Sequence, residues 1–296
     1  MILVTGGAGY IGSHTCIELI SEGYAPVIVD NFCNSKVEIL ARLEQITQKH
    51  IPYVRADLRN KSAMERIFDQ YDIDSVIHFA GLKAVAESVK KPLDYYSNNI
   101  DSTLTLCHTM AARNIKKMVF SSSGAVYKED NVSPINEHAK LGCSNPYGWT
   151  KLMIEQILQD ICTADSSWSV LLLRYFNPIG AHESGLIGDD PSGIPNNLVP
   201  FITRVATGKY KILNIFGKDY PTPDGTGIRD YIHVVDLAKG HVAALHYVDT
   251  HAGVEAINLG TGKGTSVIEL LSAFDKTTGQ KIPHKSEGRR PGDIAV

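Results

Sequence analysis

The chain has 296 residues, 43% of them hydrophobic, and a net charge of −3 from 29 lysines and arginines against 32 aspartates and glutamates. That balance argues against a nucleic-acid partner or an anionic-membrane partner, and the length suffices for a large core. No apolar run approaches the roughly 18 residues of a membrane span, and the first residues run straight into glycines, so no signal peptide is expected.

In chain order, short β-branched runs alternate with longer amphipathic ones. Strands are predicted at 2–5, 25–30, 53–56, 75–79, 118–121 and 170–175, with helical stretches such as 11–22, 62–70 and 103–113 between them. The strands are almost continuously apolar, which means that both sheet faces are covered. The expected class is α/β, a Rossmann-type doubly wound parallel sheet. After residue 175 prolines, glycines and asparagines cluster at 177–180, 185–200 and 220–227. We therefore expect a Rossmann domain over 1–175 and a smaller C-terminal α/β ligand-binding region over 176–296. The boundary is soft, since 256–259 reads as a strand able to rejoin the main sheet.

The five cysteines (Cys16, Cys33, Cys107, Cys143, Cys162) are scattered without a C-x-x-C pair, which suits a reducing cytoplasm rather than a disulfide framework. The eleven histidines form no H-E-x-x-H set, and no metal is expected.

Gly7-Ala8-Gly9-Tyr10-Ile11-Gly12 matches G-x-G-x-x-G, and Gly6, Gly9 and Gly12 match a three-residue spacing. The motif is weak alone, but here it joins a buried strand to a helix whose N-terminus offers N–H groups and a dipole to a pyrophosphate. Asp30 ends the second strand, where a carboxylate accepts ribose hydroxyls and repels a 2′-phosphate. The cofactor is therefore expected to be NAD rather than NADP. Tyr147 and Lys151 stand at i and i+4 on one helix face. A charge about 4 Å from a phenol, at an effective dielectric near 20, favours phenolate by about 4 kcal/mol, roughly three pKa units. That would turn the phenol into a base useful near neutral pH. Ser121-Ser122-Ser123 follows a strand and offers a hydroxyl, although serines there also serve simply as turn formers.

The glycine turn, Asp30, Ser123, Tyr147 and Lys151 together resemble the extended short-chain dehydrogenase/reductase family. Within it, 30–35 (DNFCNS), 78–85 (HFAGLKAV), 173–178 (LRYFNP), 194–198 (IPNNL), 224–234 (DGTGIRDYIHV) and 289–293 (RRPGD) resemble the UDP-glucose 4-epimerase family over essentially the whole chain. The resemblance implies that NAD is also held by Tyr10, Ile11, Asn31, Phe32, Cys33, Asn34, Ser35, Asp57, Leu58, Phe79, Ala80, Gly81, Leu82, Lys83, Asn98 and Phe176. Ser123, Tyr147 and Lys151 are the implied catalytic set. For UDP-glucose or UDP-galactose it implies Ser123, Tyr147, Asn177, Asn197, Leu198, Asn214, Ile215, Phe216, Arg229, Arg290, Pro291, Gly292 and Asp293. The arginines suit a diphosphate, which a guanidinium fork binds bidentately.

The implied activity is redox-neutral exchange of the two sugars through a 4-keto intermediate, by a homodimer. Lys128 and Trp149 depart from the family pattern, which also runs on past Val296, so a C-terminal truncation is expected. Three rivals stay open at this stage. A 4,6-dehydratase or decarboxylase of the same fold is one, although Gly124-Ala125 replaces the acidic pair a dehydratase would carry. The others are a non-enzymatic NAD-sensing protein and an inactive fragment.

Overall fold

The computed structural model describes residues 1–191, 193, 195, 197–290 and 294–296. Pro291, Gly292 and Asp293, expected at the sugar nucleotide, lie outside the described residues, as do Ile194 and Asn196. The first part of the chain runs β1 (Ile2–Thr5), α1 (Tyr10–Ser21), β2 (Pro26–Asp30), α2 (Glu38–Thr47), β3 (Tyr53–Arg55) and α3 (Lys61–Gln70). Next come β4 (Ser75–His78), α4 (Val85–Lys90), α5 (Pro92–Ala112), β5 (Lys117–Ser121), α6 (Pro146–Ala164) and β6 (Ser169–Tyr175). The rest is β7 (Asn177–Ile179), α7 (Leu198–Ala206), β8 (Leu213–Phe216), β9 (Ile228–His233), α8 (Val234–Thr250), β10 (Gly253–Leu259), β11 (Gly264–Ser266), α9 (Val267–Thr278) and β12 (His284–Glu287).

Seven strands form one parallel sheet in the order β10-β6-β5-β4-β1-β2-β3. Strand alternation sends neighbouring residues to opposite faces. Ile2, Val4, Ile28, Leu171 and Leu173 pack with α1, α2 and α8, whereas Leu3, Val27, Val29, Val170 and Leu172 pack with α3, α5 and α6. That two-sided burial is why the strands read as unbroken apolar runs.

The six predicted strands all occur, with ends within a residue or two of the expected ones. The largest difference is α5, expected over 103–113 and found to start at Pro92. Proline suits the first helical position, and the apolar periodicity of this stretch is hidden because Asn99, Ser102 and Thr103 are buried polar residues.

The chain leaves the large sheet after β6 and returns at β10, which pairs with β6 from Gly253↔Ser169 to Leu259↔Tyr175. The remaining strands form a β11-β9-β7 sheet and a β12-β8 pair over a separate apolar cluster of Ile202, Val205, Leu213, Ile215, Leu271 and Ile282. The layer above the strand ends is thus assembled from two separate stretches. Since β1 lies between β2 and β4, the strand order reverses there and opens a crevice at the carboxyl ends.

Candidate active site

That crevice is a cleft of about 2310 Å³ walled by both layers. All the described residues expected at cofactor or substrate line it except Phe32. Phe32 sits at a left-handed φ of 58°, its ring lying edge-on to Tyr53 and under the Arg55 guanidinium. Its N–H donates to Asp30 Oδ1 at 2.8 Å.

The glycine turn is close-packed. Gly6 has φ +69°, and a Cβ on Gly12 would lie 2.5 Å from Gly6 O and 2.8 Å from Gly7 Cα. Side chains there would push α1 off the turn. α1 begins without a side-chain cap at Gly9, so its first N–H groups face the cleft, where a pyrophosphate would sit. Asp30 is held ready by Ala8 N–H at 3.1 Å and Ser35 Oγ–H at 2.9 Å. Asp57 accepts two Arg59 bonds at 2.9 and 2.8 Å, which hold its carboxyl down at about 2. These features fit a dinucleotide with free ribose hydroxyls.

On the other wall, Asn145 caps α6 by accepting Gly148 N–H at 2.9 Å, with Pro146 in the first turn. Gly148 lets α6 press against the serine turn, since a Cβ there would come within 2.8 Å of Ala125 O. Tyr147 therefore lines the cleft together with Ser123, whose Oγ accepts Ala125 N–H at 3.2 Å. Lys151 Nζ donates to Ser121 O at 2.7 Å and sits 4.7 Å above the Phe120 ring.

The expected lowering of the phenol by Lys151 alone is not what this geometry produces. Burial raises the Tyr147 phenol, with the Ser123 side chain opposing it, while burial pushes Lys151 itself down to about 8. Desolvation by burial is the largest cause at both groups.

At the far end Asn214, Ile215 and Phe216 lie on β8, with the Arg290 guanidinium 4.8 Å from the Phe216 ring. Arg229 on β9 donates to Ile294 O at 2.9 Å, and Asn197 at the start of α7 donates to Asp189 at 3.0 Å. Asn214 Oδ1 is a buried acceptor without a partner, as an atom awaiting a donor would be. Asp236, which reads as a helix cap, sits in the first turn of α8, and the cap is His233, accepting from Val235 N–H.

Two contributors escaped the sequence reading. Asn99, 2% exposed, donates to Leu82 O and Thr150 Oγ1, both at 3.0 Å, and accepts Leu82 N–H at 2.7 Å. It thereby ties the 80–84 loop to the helix that carries Tyr147 and Lys151. The Tyr95 hydroxyl grips the same loop through Ala84 N–H and O at 3.0 and 2.9 Å. The available signal was polar residues recurring on the inner face of α5.

Residues 2–260 match the NAD dependent epimerase/dehydratase family. The UDP-glucose 4-epimerase of Bacillus subtilis (strain 168) is 58% identical over 295 residues, spanning 100% of this chain and 87% of that protein. The Homo sapiens UDP-glucose 4-epimerase is 52% identical over 302 residues, with 100% and 87% covered. The crystal structure of UDP-glucose 4-epimerase from Bifidobacterium longum in complex with NAD+ and UDP superposes with a TM-score of 0.97 at 55% identity, covering 99% of this chain and 88% of that one. With the glycine turn, the Tyr147–Lys151 pair and the two-walled cleft in one chain, these likenesses show that the chain belongs to the NAD dependent epimerase/dehydratase family.

Proposed function

We propose that the chain interconverts UDP-galactose and UDP-glucose by inverting C4 through a 4-keto sugar. The observation that carries this reading is the meeting of Ser123, Tyr147 and Lys151 between a dinucleotide wall and an Asn/Arg wall in one cleft. Gly6, Gly9, Gly12 and the start of α1 would hold the NAD pyrophosphate, with Asp30 on the adenosine ribose. When bound, NAD would supply a positive ring near the phenol and a reversible hydride acceptor for C4, with no net redox change. Tyr147 takes the 4-hydroxyl proton and later returns it, while Ser123 orients that hydroxyl. Arg229, Arg290, Asn177 and Asn197 hold the UDP portion, leaving the keto sugar free to turn about its diphosphate tether.

The dehydratase reading loses support at Gly124, where a Cβ would meet the Phe176 ring at 2.9 Å, leaving little room for an acidic side chain. The test is conversion of UDP-galactose to UDP-glucose without added NAD, with mass spectrometry of the cofactor released from the same sample. Turnover and NAD are expected together; release of an oxidised keto sugar, with the cofactor left reduced and no epimer formed, would sink the proposal.

A homodimer is part of the same reading. α4, α5 and α6 pack together and expose Val89, Leu93, Trp149 and Met153, at 56, 80, 39 and 41%. Sedimentation as a monomer at micromolar concentration would rule it out. The five free cysteines fit a cytoplasmic enzyme, and galactose metabolism is the corresponding role.

A further inference from the structure

We propose that Glu155, one turn beyond Lys151 on α6, is a positioning residue whose carboxylate sets the charge balance of the Tyr147–Lys151 pair. The inference rests on the reading of that pair as the reacting groups. Glu155 is 0% exposed, and Arg174 from β6 grips it through Nη2 at 2.6 Å and Nε at 3.0 and 3.2 Å. Ser122, next to Ser123, donates to Glu155 Oε1 at 2.5 Å. Arg174 continues to the Tyr127 hydroxyl at 3.2 Å and Glu137 O at 3.3 Å, and Tyr127 donates to Asn258 Oδ1 at 2.6 Å. One carboxylate therefore joins the serine turn, the catalytic helix, β6 and the loop that walls the cleft.

A fully buried ion pair is a poor device for stability, because apolar replacements are often neutral or better. Its place behind the reacting pair gives it a different use. Around Lys151 stand Tyr147 and Glu155 on α6, His78 on β4, Tyr175 and Arg174 on β6, and Tyr95 on α5 near the phenol. His78 is buried and neutral, and the tyrosines hold their protons tightly. Burial drives the ammonium to release its proton, and the Glu155 carboxylate opposes this. Removing that negative charge favours the deprotonated form of both neighbours, Tyr147 as well as Lys151.

Glu155→Gln preserves shape and the acceptor for Ser122. Both limbs of its kcat–pH profile are expected to move toward acid by about one unit. The loss at pH 8.5 is then about tenfold larger than at pH 6.5. Limbs that stay in place while kcat falls evenly would make Glu155 a strut and overturn the proposal. If the single variant does not fold, Glu155→Gln/Arg174→Met removes the unpaired guanidinium, and the same direction of shift is expected. Phenolate absorbance of the NAD-loaded protein, taken as a difference from Tyr147→Phe, reads the acid limb without turnover. A chain lacking epimerase activity would overturn the functional reading, and the titration would then decide the role of Glu155 by itself.

Discussion

Tyr147→Phe is expected to lower kcat for UDP-galactose by about a thousandfold while NAD stays on the protein, the middle of the range for a lost general base. Phenylalanine keeps the ring in its buried site beside the serine turn, so the packing of α6 survives and only the hydroxyl is lost. The glycine turn and Asp30, proposed to hold the cofactor, are untouched. Coupled assay of UDP-glucose formation, with mass spectrometry of released NAD, separates the two effects. Turnover within tenfold of the parent would remove Tyr147 from the base role. The prediction does not depend on how the phenol loses its proton, which matters because Lys151 alone does not lower it.

The second large effect is on stability in mild acid. His14, His78 and His241 are at most 1% exposed, and burial lowers them to about 4, 3 and 4. His78 lies between Thr5 Oγ1 at 2.7 Å and Thr103 Oγ1 at 2.9 Å, while His14 and His241 each leave Nε2 without a partner. All three stay neutral in the fold but charge in the unfolded chain near pH 6.5. Below that pH the unfolded state binds more protons, so stability is full above pH 6.5 and falls as pH drops toward 4. Each histidine contributes about 1.4 kcal/mol per pH unit, and the three together about 4 kcal/mol per unit. Thermal unfolding followed from pH 7 to pH 5 is expected to show Tm falling with a steepening slope below pH 6. A Tm that stays level over that interval would mean the three rings are already charged in the native state.

The same residues show how far a linear reading reaches. The glycine turn, Asp30 and the Tyr147–Lys151 pair were legible because each depends on spacing within one βα unit or one helix. The six strands were legible because burial on both faces leaves an apolar run with no polar alternation. The N-terminal half of α5 was not, because its buried positions include Asn99, Ser102 and Thr103, which serve hydrogen bonds rather than packing. Asn98 is singled out by the family resemblance, while Asn99 beside it bridges the 80–84 loop and α6, a role visible only when both are in place. Phe32 lies within a motif that points to the cofactor, yet its ring turns to Tyr53 and Arg55.

By itself, then, the amino-acid order determined the parallel α/β sheet, the preference for NAD and the placing of Tyr147 and Lys151 on one helix face, since these follow from short-range periodicity and local charge. Tertiary structure alone decided the return of β10 to the large sheet, the burial that raises Tyr147 and lowers Lys151, and the Glu155–Arg174 pair behind them. Desolvation is set by what the rest of the chain packs around a group, and no spacing along the sequence carries that information.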